Sequence, residues 1–127
     1  MTEIHTPISI GELLDKITIL EIKSSRISDP SKLMNIKKEL KLLSDVCQKN
    51  NINLNDSLIS ELKKYNESLW DIEDKIRDKE RAKQFDEEFI GLARAVYFTN
   101  DKRADVKKQI NMKSGSALVE EKSYNPY

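Results

Sequence analysis

The feature that most constrains this chain is a helical repeat of apolar residues in its second half. From about residue 56, apolar side chains recur at spacings of three and four, namely Leu58, Leu62, Tyr65, Leu69, Ile72 and Ile76. A second repeat begins at Phe89 and continues through Leu92, Val96, Thr99, Arg103, Val106 and Ile110. Such spacing places one face of a helix against a neighbour. Two long helices joined by a short connection are therefore predicted to form an antiparallel hairpin.

The first half of the chain contains two shorter helices, marked by their start signals. Ser9 and Glu12 form a capping box, in which each side chain bonds the backbone of the other residue. Asp29 and Pro30 suit the cap and first turn of a second helix, and Asp86 suits the cap of the last one. The expected helices span residues 10–27, 30–49, 56–83 and 86–112, with a tail over residues 113–127.

These segments predict an all-α fold made of two antiparallel helical hairpins, the second longer and coiled-coil-like. No segment has the alternation of a strand, and 127 residues suit a single domain over residues 1–127. Ile19 and Ile22 widen the apolar face of helix 1, so this helix is expected to be covered on more than one side. Helices 3 and 4 would each be roughly 40 Å long, against about 25–27 Å for helices 1 and 2. This excess length predicts a homodimer built on the long hairpin, or cover from the tail.

Composition and a few single residues limit which binding partners and which cellular location are expected. The 22 basic residues balance 22 acidic ones, which favours neither nucleic acid nor an anionic membrane as a partner, and no apolar run has the ~18 residues needed to cross a bilayer. Cys47, the single cysteine, lies on the seam of helix 2 and is expected to be a buried apolar residue. Without a disulfide pair or a secretory signal, a cytoplasmic location is expected. His5 is the single histidine and is expected to be solvated.

Polar side chains interrupt the apolar stripe of helix 4. Thr99 and Arg103 fall on the seam, and a buried arginine requires a partner. In an antiparallel hairpin that closes near residue 84, the acidic residues of helix 3 are predicted to face this region. The candidate patch comprises Glu67, Trp70, Asp71, Glu73, Asp74, Arg94, Tyr97, Asn100, Asp101 and Arg103.

Two interpretations of this patch stay open. In the first, it is an ion-pair network that fixes helix register. In the second, Arg94 and Arg103 hold a small anionic ligand, a phosphorylated or carboxylated substrate, while Glu67, Asp71 and Asp74 could bind Mg²⁺. No catalytic residue is identified, so whether the protein is an enzyme stays open, and no cofactor or metal site is predicted outside the second interpretation.

The charged residues of helix 1 offer a weaker pattern. Glu12 and Asp15 have the Glu-x-x-Asp spacing of one Mg²⁺-binding helix in the all-α nucleotide pyrophosphatases, but no Glu-x-x-Glu partner accompanies it. Asp15 and Arg26 are interpreted as surface charges, although Arg26 turned inward would join the patch.

Four stretches carry a resemblance to a known family, at residues 9–23, 66–80, 89–111 and 120–124. Over nearly all its length the chain resembles a family of small bacterial and phage proteins known only as a domain of unknown function. The resemblance implies no activity, cofactor or catalytic residue. Since EEKSY at residues 120–124 belongs to the shared pattern, it implies that the tail docks, with Tyr124 near the candidate patch. Residues 125–127 extend the tail beyond that pattern.

Overall fold

The computed structural model describes residues 2–127 and contains four α-helices. The first hairpin consists of α1 (Ile10–Arg26) and α2 (Pro30–Lys49), and the second of α3 (Ser57–Arg81) and α4 (Glu87–Ser114). No strand occurs within residues 2–127. The all-α fold class is confirmed, and α3 and α4 pack against each other more extensively than any other pair of helices. None of the described helices carries an apolar stretch long enough to cross a bilayer.

The helices begin at residues whose side chains bond free backbone N–H groups. The backbone N–H of Glu12 donates to Ser9 Oγ at 3.1 Å, as one half of a capping box requires. The prediction that the Glu12 carboxylate bonds the backbone of Ser9 is wrong, because this carboxylate bonds Lys107 of α4 instead. Asp29 and Asp86 are the N-caps of α2 and α4, and each accepts a backbone N–H bond at 3.0 Å.

Helix α1 lies at the centre of the fold. Its backbone lies close to that of each of the other three helices, whereas the backbone of α2 lies close to that of α1 alone among the described helices. The prediction that α1 is covered on more than one side is confirmed, and Ile22 is buried. The core combines residues of all four helices, namely Leu13, Leu14, Ile17, Cys47, Ile59, Leu62, Val106 and Ile110. Cys47 is fully buried as expected, and burial raises the pKa of its thiol.

Burial divides the α3–α4 hairpin into two halves. The buried residues of α3 end at Asn66 and those of α4 begin at Val106. Every residue from 67 to 105, a range described throughout, is at least partly exposed. We call residues 67–105 the distal half of the hairpin, and residues 57–66 with 106–114 its base. Helix α1 covers the base, so the core of the protein lies there.

Candidate functional site

Arg103 of α4 forms a bidentate ion pair with a carboxylate of α1. Its Nε donates to Asp15 Oδ1 at 3.0 Å, and its Nη2 donates to Asp15 Oδ2. Nη1 lies 3.5 Å from Asn100 Oδ1. The Asp15 side chain is only 2% exposed, against 27% for Arg103. Arg103 therefore has the partner that its position demands, but this partner comes from α1.

Two further polar side chains complete the surroundings of Asp15. Asn66 Nδ2 donates to Asp15 Oδ1 at 2.8 Å and to Thr18 Oγ1 at 2.9 Å. The Thr18 hydroxyl donates to the carbonyl oxygen of Asp15 at 2.9 Å. Within residues 2–127, every buried side-chain nitrogen and oxygen has a hydrogen-bond partner, so the buried charge is fully compensated. The interpretation of Asp15 as a surface charge is wrong.

Lys107, one helical turn beyond Arg103, extends the network to the C-terminal tail. Its Nζ lies 2.6 Å from Glu12 Oε2, 3.2 Å from Glu120 Oε2 and 3.7 Å from Asp15 Oδ2. Burial by itself lowers the pKa of Lys107, but the hydrogen bond to Glu12 and the charge of Asp15 outweigh it, so that the pKa is raised. The buried ammonium is therefore charged at neutral pH. It joins α1, α4 and the tail.

The first turn of α1 approaches the last turns of α4 at contact distance. Gly11 N donates to Asn111 Oδ1 at 2.6 Å, and Ile10 N donates to Ser116 Oγ at 3.1 Å. These bonds satisfy N–H groups that the start of a helix leaves free. A Cβ at Gly11 would lie 2.7 Å from the carbonyl oxygen of Lys107. The close approach of the two helices therefore requires glycine at this position.

The α3 end of the predicted patch contacts α1 rather than Arg103. Arg26 Nη1 donates to Asp71 Oδ1 at 2.6 Å, and its guanidinium lies 5.7 Å from the centroid of the Trp70 ring. Arg26 has thus turned toward α3, which the sequence left open. Asp71 is largely exposed, and this contact is separate from the Asp15 network.

The remaining acidic residues of α3 also lie outside the network. Glu73 pairs with Arg77 one turn along the same helix, at 3.1 Å, and Glu67 and Asp74 contribute no bond to Arg103. The prediction that the α3 carboxylates meet this arginine is wrong, because α1 packs against both helices at the base and supplies the carboxylate itself. Within residues 2–127, no group of three or more His, Cys, Asp or Glu residues is placed to hold a metal ion.

The tail turns back along α4. Helix α4 ends at Ser114 and is capped by Gly115, which has a left-handed φ of 69°, and Ser116 N donates to Asn111 O at 2.9 Å. Beyond the Glu120 bond to Lys107, the chain reaches Tyr127, whose hydroxyl donates to Asp101. The tail therefore contacts α4 at two separated points.

A cavity of about 880 Å³ lies between α4 and the tail. It collects four residues of the predicted patch, namely Tyr97, Asn100, Asp101 and Arg103, together with Tyr124 of the tail. Arg94 does not line it, because its guanidinium lies over the Phe98 ring at 5.6 Å. Tyr124 borders the cavity but is 81% exposed. Tyr127 is also largely exposed, at 73%, but it contacts α4, with its ring centroid 4.9 Å from that of Phe98.

The model of one protein family, described as a family of unknown function (DUF6165), matches residues 4–127. This range is nearly the whole chain. The chain belongs to this family. No curated protein and no solved structure matches it. The bacterial and phage origin that the resemblance implies stays a prediction.

In this DUF6165 chain, sequence reasoning missed three polar residues of the network, namely Asp15, Asn66 and Lys107. A signal exists for two of them. Asp15 lies four residues after Gly11 and three before Thr18, which marks a second, small and polar face on α1. Asn66 follows Leu62 by four residues on the seam of α3. Lys107 carries no such signal, because it lies among other charged residues.

Proposed function

We propose that this DUF6165 protein is an assembly module whose distal hairpin half pairs with the same half of a second copy. One observation carries the proposal. The apolar seam of the hairpin continues through residues 67–105, yet no residue of that described range is buried. A seam that is regular but uncovered is typical of a helix surface that packs in an assembly.

The physical reason is that two helices alone cover only one side of each other. The seam residues of the distal half are half-buried, namely Leu69, Ile72, Ile76, Leu92 and Val96. Larger apolar side chains beside them are more exposed, with Phe85 at 57%, Ile90 at 48%, Tyr97 at 43% and Phe98 at 36%. Helices in proteins gain most of their stability from packing of an apolar face against other elements. Additional helices would cover this surface.

A second copy fits this surface in shape. Helix α1 covers the base of the hairpin and ends at Arg26, beside Trp70. Beyond that point the distal half extends for roughly 17 Å along α3, at 1.5 Å per residue up to Arg81. With a width of two helices, its face is roughly 400 Å², which suits a small interface rather than a standard one, in which each partner buries ~800 Å². Two distal halves related by a twofold axis would form a coiled-coil-like four-helix arrangement.

Binding of a small anionic ligand at the predicted patch is the alternative, and the arginines support it less. The guanidinium of Arg103 already holds the carboxylate of Asp15, and Arg94 lies over an aromatic ring. An anion would have to replace a buried, fully bonded partner. We also place the protein in the cytoplasm, since its single cysteine is buried and suits a reducing compartment.

Sedimentation of the full chain over a range of concentrations tests the pairing. We expect the wild type to sediment as a dimer and Ile90→Glu to sediment as a monomer, because the new charge would lie in the apolar interface. Met34→Glu is the matched control, since Met34 is 68% exposed on α2, away from the hairpin. It should remain a dimer. A monomeric wild type would refute the proposal, and so would an Ile90→Glu variant that dimerises as the wild type does.

A further inference from the structure

The cavity beneath the tail has the dimensions of a small-molecule site. Its volume of about 880 Å³ falls within the ~300–1,000 Å³ that such sites occupy. The tail forms an arch over it, fixed at one end by the Glu120 bond to Lys107 and at the other by the Tyr127 bond to Asp101. The floor is the exposed face of α4, where Ala104 leaves space between longer side chains.

The cations that line this cavity already have carboxylate partners. Arg103 is bonded to Asp15. Lys108 Nζ lies 3.8 Å from Glu121, and Lys122 Nζ lies 3.5 Å from Glu120. None of these three cations is therefore available to an anion without the loss of an ion pair.

Two carboxylates of the cavity floor lack a cationic partner. Asp101 accepts a bond from the Tyr127 hydroxyl, and Asp105 accepts one from Gln109 Nε2 at 2.7 Å. Within residues 2–127, neither aspartate forms an ion pair. Asp101 and Asp105 stand one turn apart on α4, which places their Cβ atoms about 5–6 Å from each other. The cavity thus has an excess of negative charge at two defined points.

The aromatic wall of the cavity already holds one ammonium group of the chain. Tyr97, Tyr124 and Tyr127 line the cavity. Lys122 Nζ lies 5.7 Å from the centroid of the Tyr124 ring while it pairs with Glu120. A ring and a carboxylate that share an ammonium form the environment in which proteins bind organic cations. Lys122 therefore shows, within the chain itself, that an ammonium group fits between a ring and a carboxylate of this wall.

We propose that the cavity binds a small aliphatic diamine or polyamine, with one ammonium group at Asp101 and another at Asp105. The two nitrogen atoms of an extended four-carbon diamine lie about 6 Å apart, which is close to the Cβ separation of two residues one helical turn apart. Its methylene groups would lie against Ala104 and the tyrosine rings. This inference does not rest on the proposed pairing, since every group that it uses belongs to one copy, although Tyr97 belongs to both surfaces.

Calorimetric titration of the full chain with 1,4-diaminobutane at low salt tests the site. We expect saturable binding of one molecule per chain. Asp105→Asn should weaken it about tenfold, the factor that corresponds to the loss of one charge-assisted hydrogen bond. Asp78→Asn is the control, because Asp78 is an exposed aspartate that pairs with Arg81 on α3, outside the cavity. It should bind as the wild type does.

Two further comparisons separate this site from general attraction between amines and acidic groups. 1-Aminobutane should bind about tenfold more weakly, since it has a single charge. Tyr124→Leu should also weaken binding of the diamine, and the high exposure of Tyr124 means that the fold should be unaffected. Absence of saturable binding to the wild type would refute the proposal, as would equal weakening by Asp105→Asn and Asp78→Asn, or equal affinity for both amines.

Discussion

The base and the distal half of the α3–α4 hairpin share one apolar repeat but differ in burial. In the base, Leu62 and Val106 are almost inaccessible to solvent. In the distal half, Leu69 and Val96 occupy equivalent positions and remain half-exposed. The difference comes from α1, which packs on the base and ends at Arg26. The helical repeat therefore specifies which residues face the partner helix, whereas a third helix determines how much of each residue is buried.

The charged residues of the two halves differ in the same way. At the base, Asp15 and Lys107 are buried and join different elements. In the distal half, some ion pairs form along one helix with both partners exposed, as between Arg77 and Glu73 or between Arg81 and Asp78, while Lys79 joins α3 to Asp86 and Glu88 at the start of α4. Exposed pairs of this kind contribute about 0–1 kcal/mol. Removal of one partner of a buried pair costs several times more.

The largest difference between the two halves is expected for truncation of their seam residues. Leu62→Ala should lower the free energy of unfolding by about 2–5 kcal/mol, because it removes a fully buried side chain and leaves a cavity. Ile76→Ala in the distal half should cost about half as much in the monomer. Urea denaturation measures both values.

The dependence of these two stability losses on protein concentration makes the comparison more specific. If the distal halves pair, the loss for Ile76→Ala should grow with protein concentration, because dimerisation stabilises the folded chain by mass action. The loss for Leu62→Ala should not depend on concentration. Equal losses for the two variants at low concentration would contradict the division of the hairpin that burial indicates.

A second expected difference concerns two aspartates that each pair with an arginine. Asp15→Ala should lower the free energy of unfolding by about 2–3 kcal/mol, since it leaves the buried Lys107 and the partly exposed Arg103 without their shared partner. Asp71→Ala is the matched control, because it removes the largely exposed partner of Arg26. It should cost less than about 1 kcal/mol. Thermal or urea unfolding distinguishes the two, and similar losses would show that the network contributes no more than a surface pair.

The sequence predicted the helices well because their signals are local. Caps such as Ser9 and Asp86 and the apolar repeat act within one or two turns. The all-α class and the demand of Arg103 for a partner follow from these local signals. The choice of partner does not, because it depends on how α1 approaches the hairpin.

The incorrect choice of the α3 carboxylates has a definite physical origin. Register within the hairpin is not the sole constraint on Arg103, because the glycine in the first turn of α1 lets that helix approach α4 closely and present Asp15. The docking of Tyr127 also lay beyond local signals, since a tail residue without periodicity identifies no neighbour. Long-range contacts of single side chains are therefore what the repeat could not predict.

The third expected difference is in the sign of the change in the free energy of unfolding when a glycine is replaced by alanine. Gly11→Ala should lower the free energy of unfolding by about 1–3 kcal/mol, because its Cβ would lie 2.7 Å from the backbone oxygen of Lys107. Gly91→Ala, in the distal half, has no atom within 4 Å of the added Cβ. It should raise the free energy of unfolding by about 0.5–1 kcal/mol, since alanine favours a helix over glycine. Denaturation of both variants checks this, and destabilisation by Gly91→Ala would place an unseen neighbour against the distal half.

The smallest expected effect concerns the tail, which touches the distal half through Tyr127. Its hydrogen bond to Asp101, followed by burial, raises the pKa of the Tyr127 hydroxyl from 10.0 to about 12. Because the folded-state pKa is raised, this contact stabilises docking below pH 10, and its contribution is lost as the pH rises through about 12. The ultraviolet difference titration between the wild type and Tyr127→Phe should therefore have a midpoint near 12. Asp101→Asn should move that midpoint down, while circular dichroism confirms that the helices persist. A wild-type midpoint at the ordinary tyrosine value would mean that the tail is not docked on α4 in solution, and the arch over the cavity would then be lost with it.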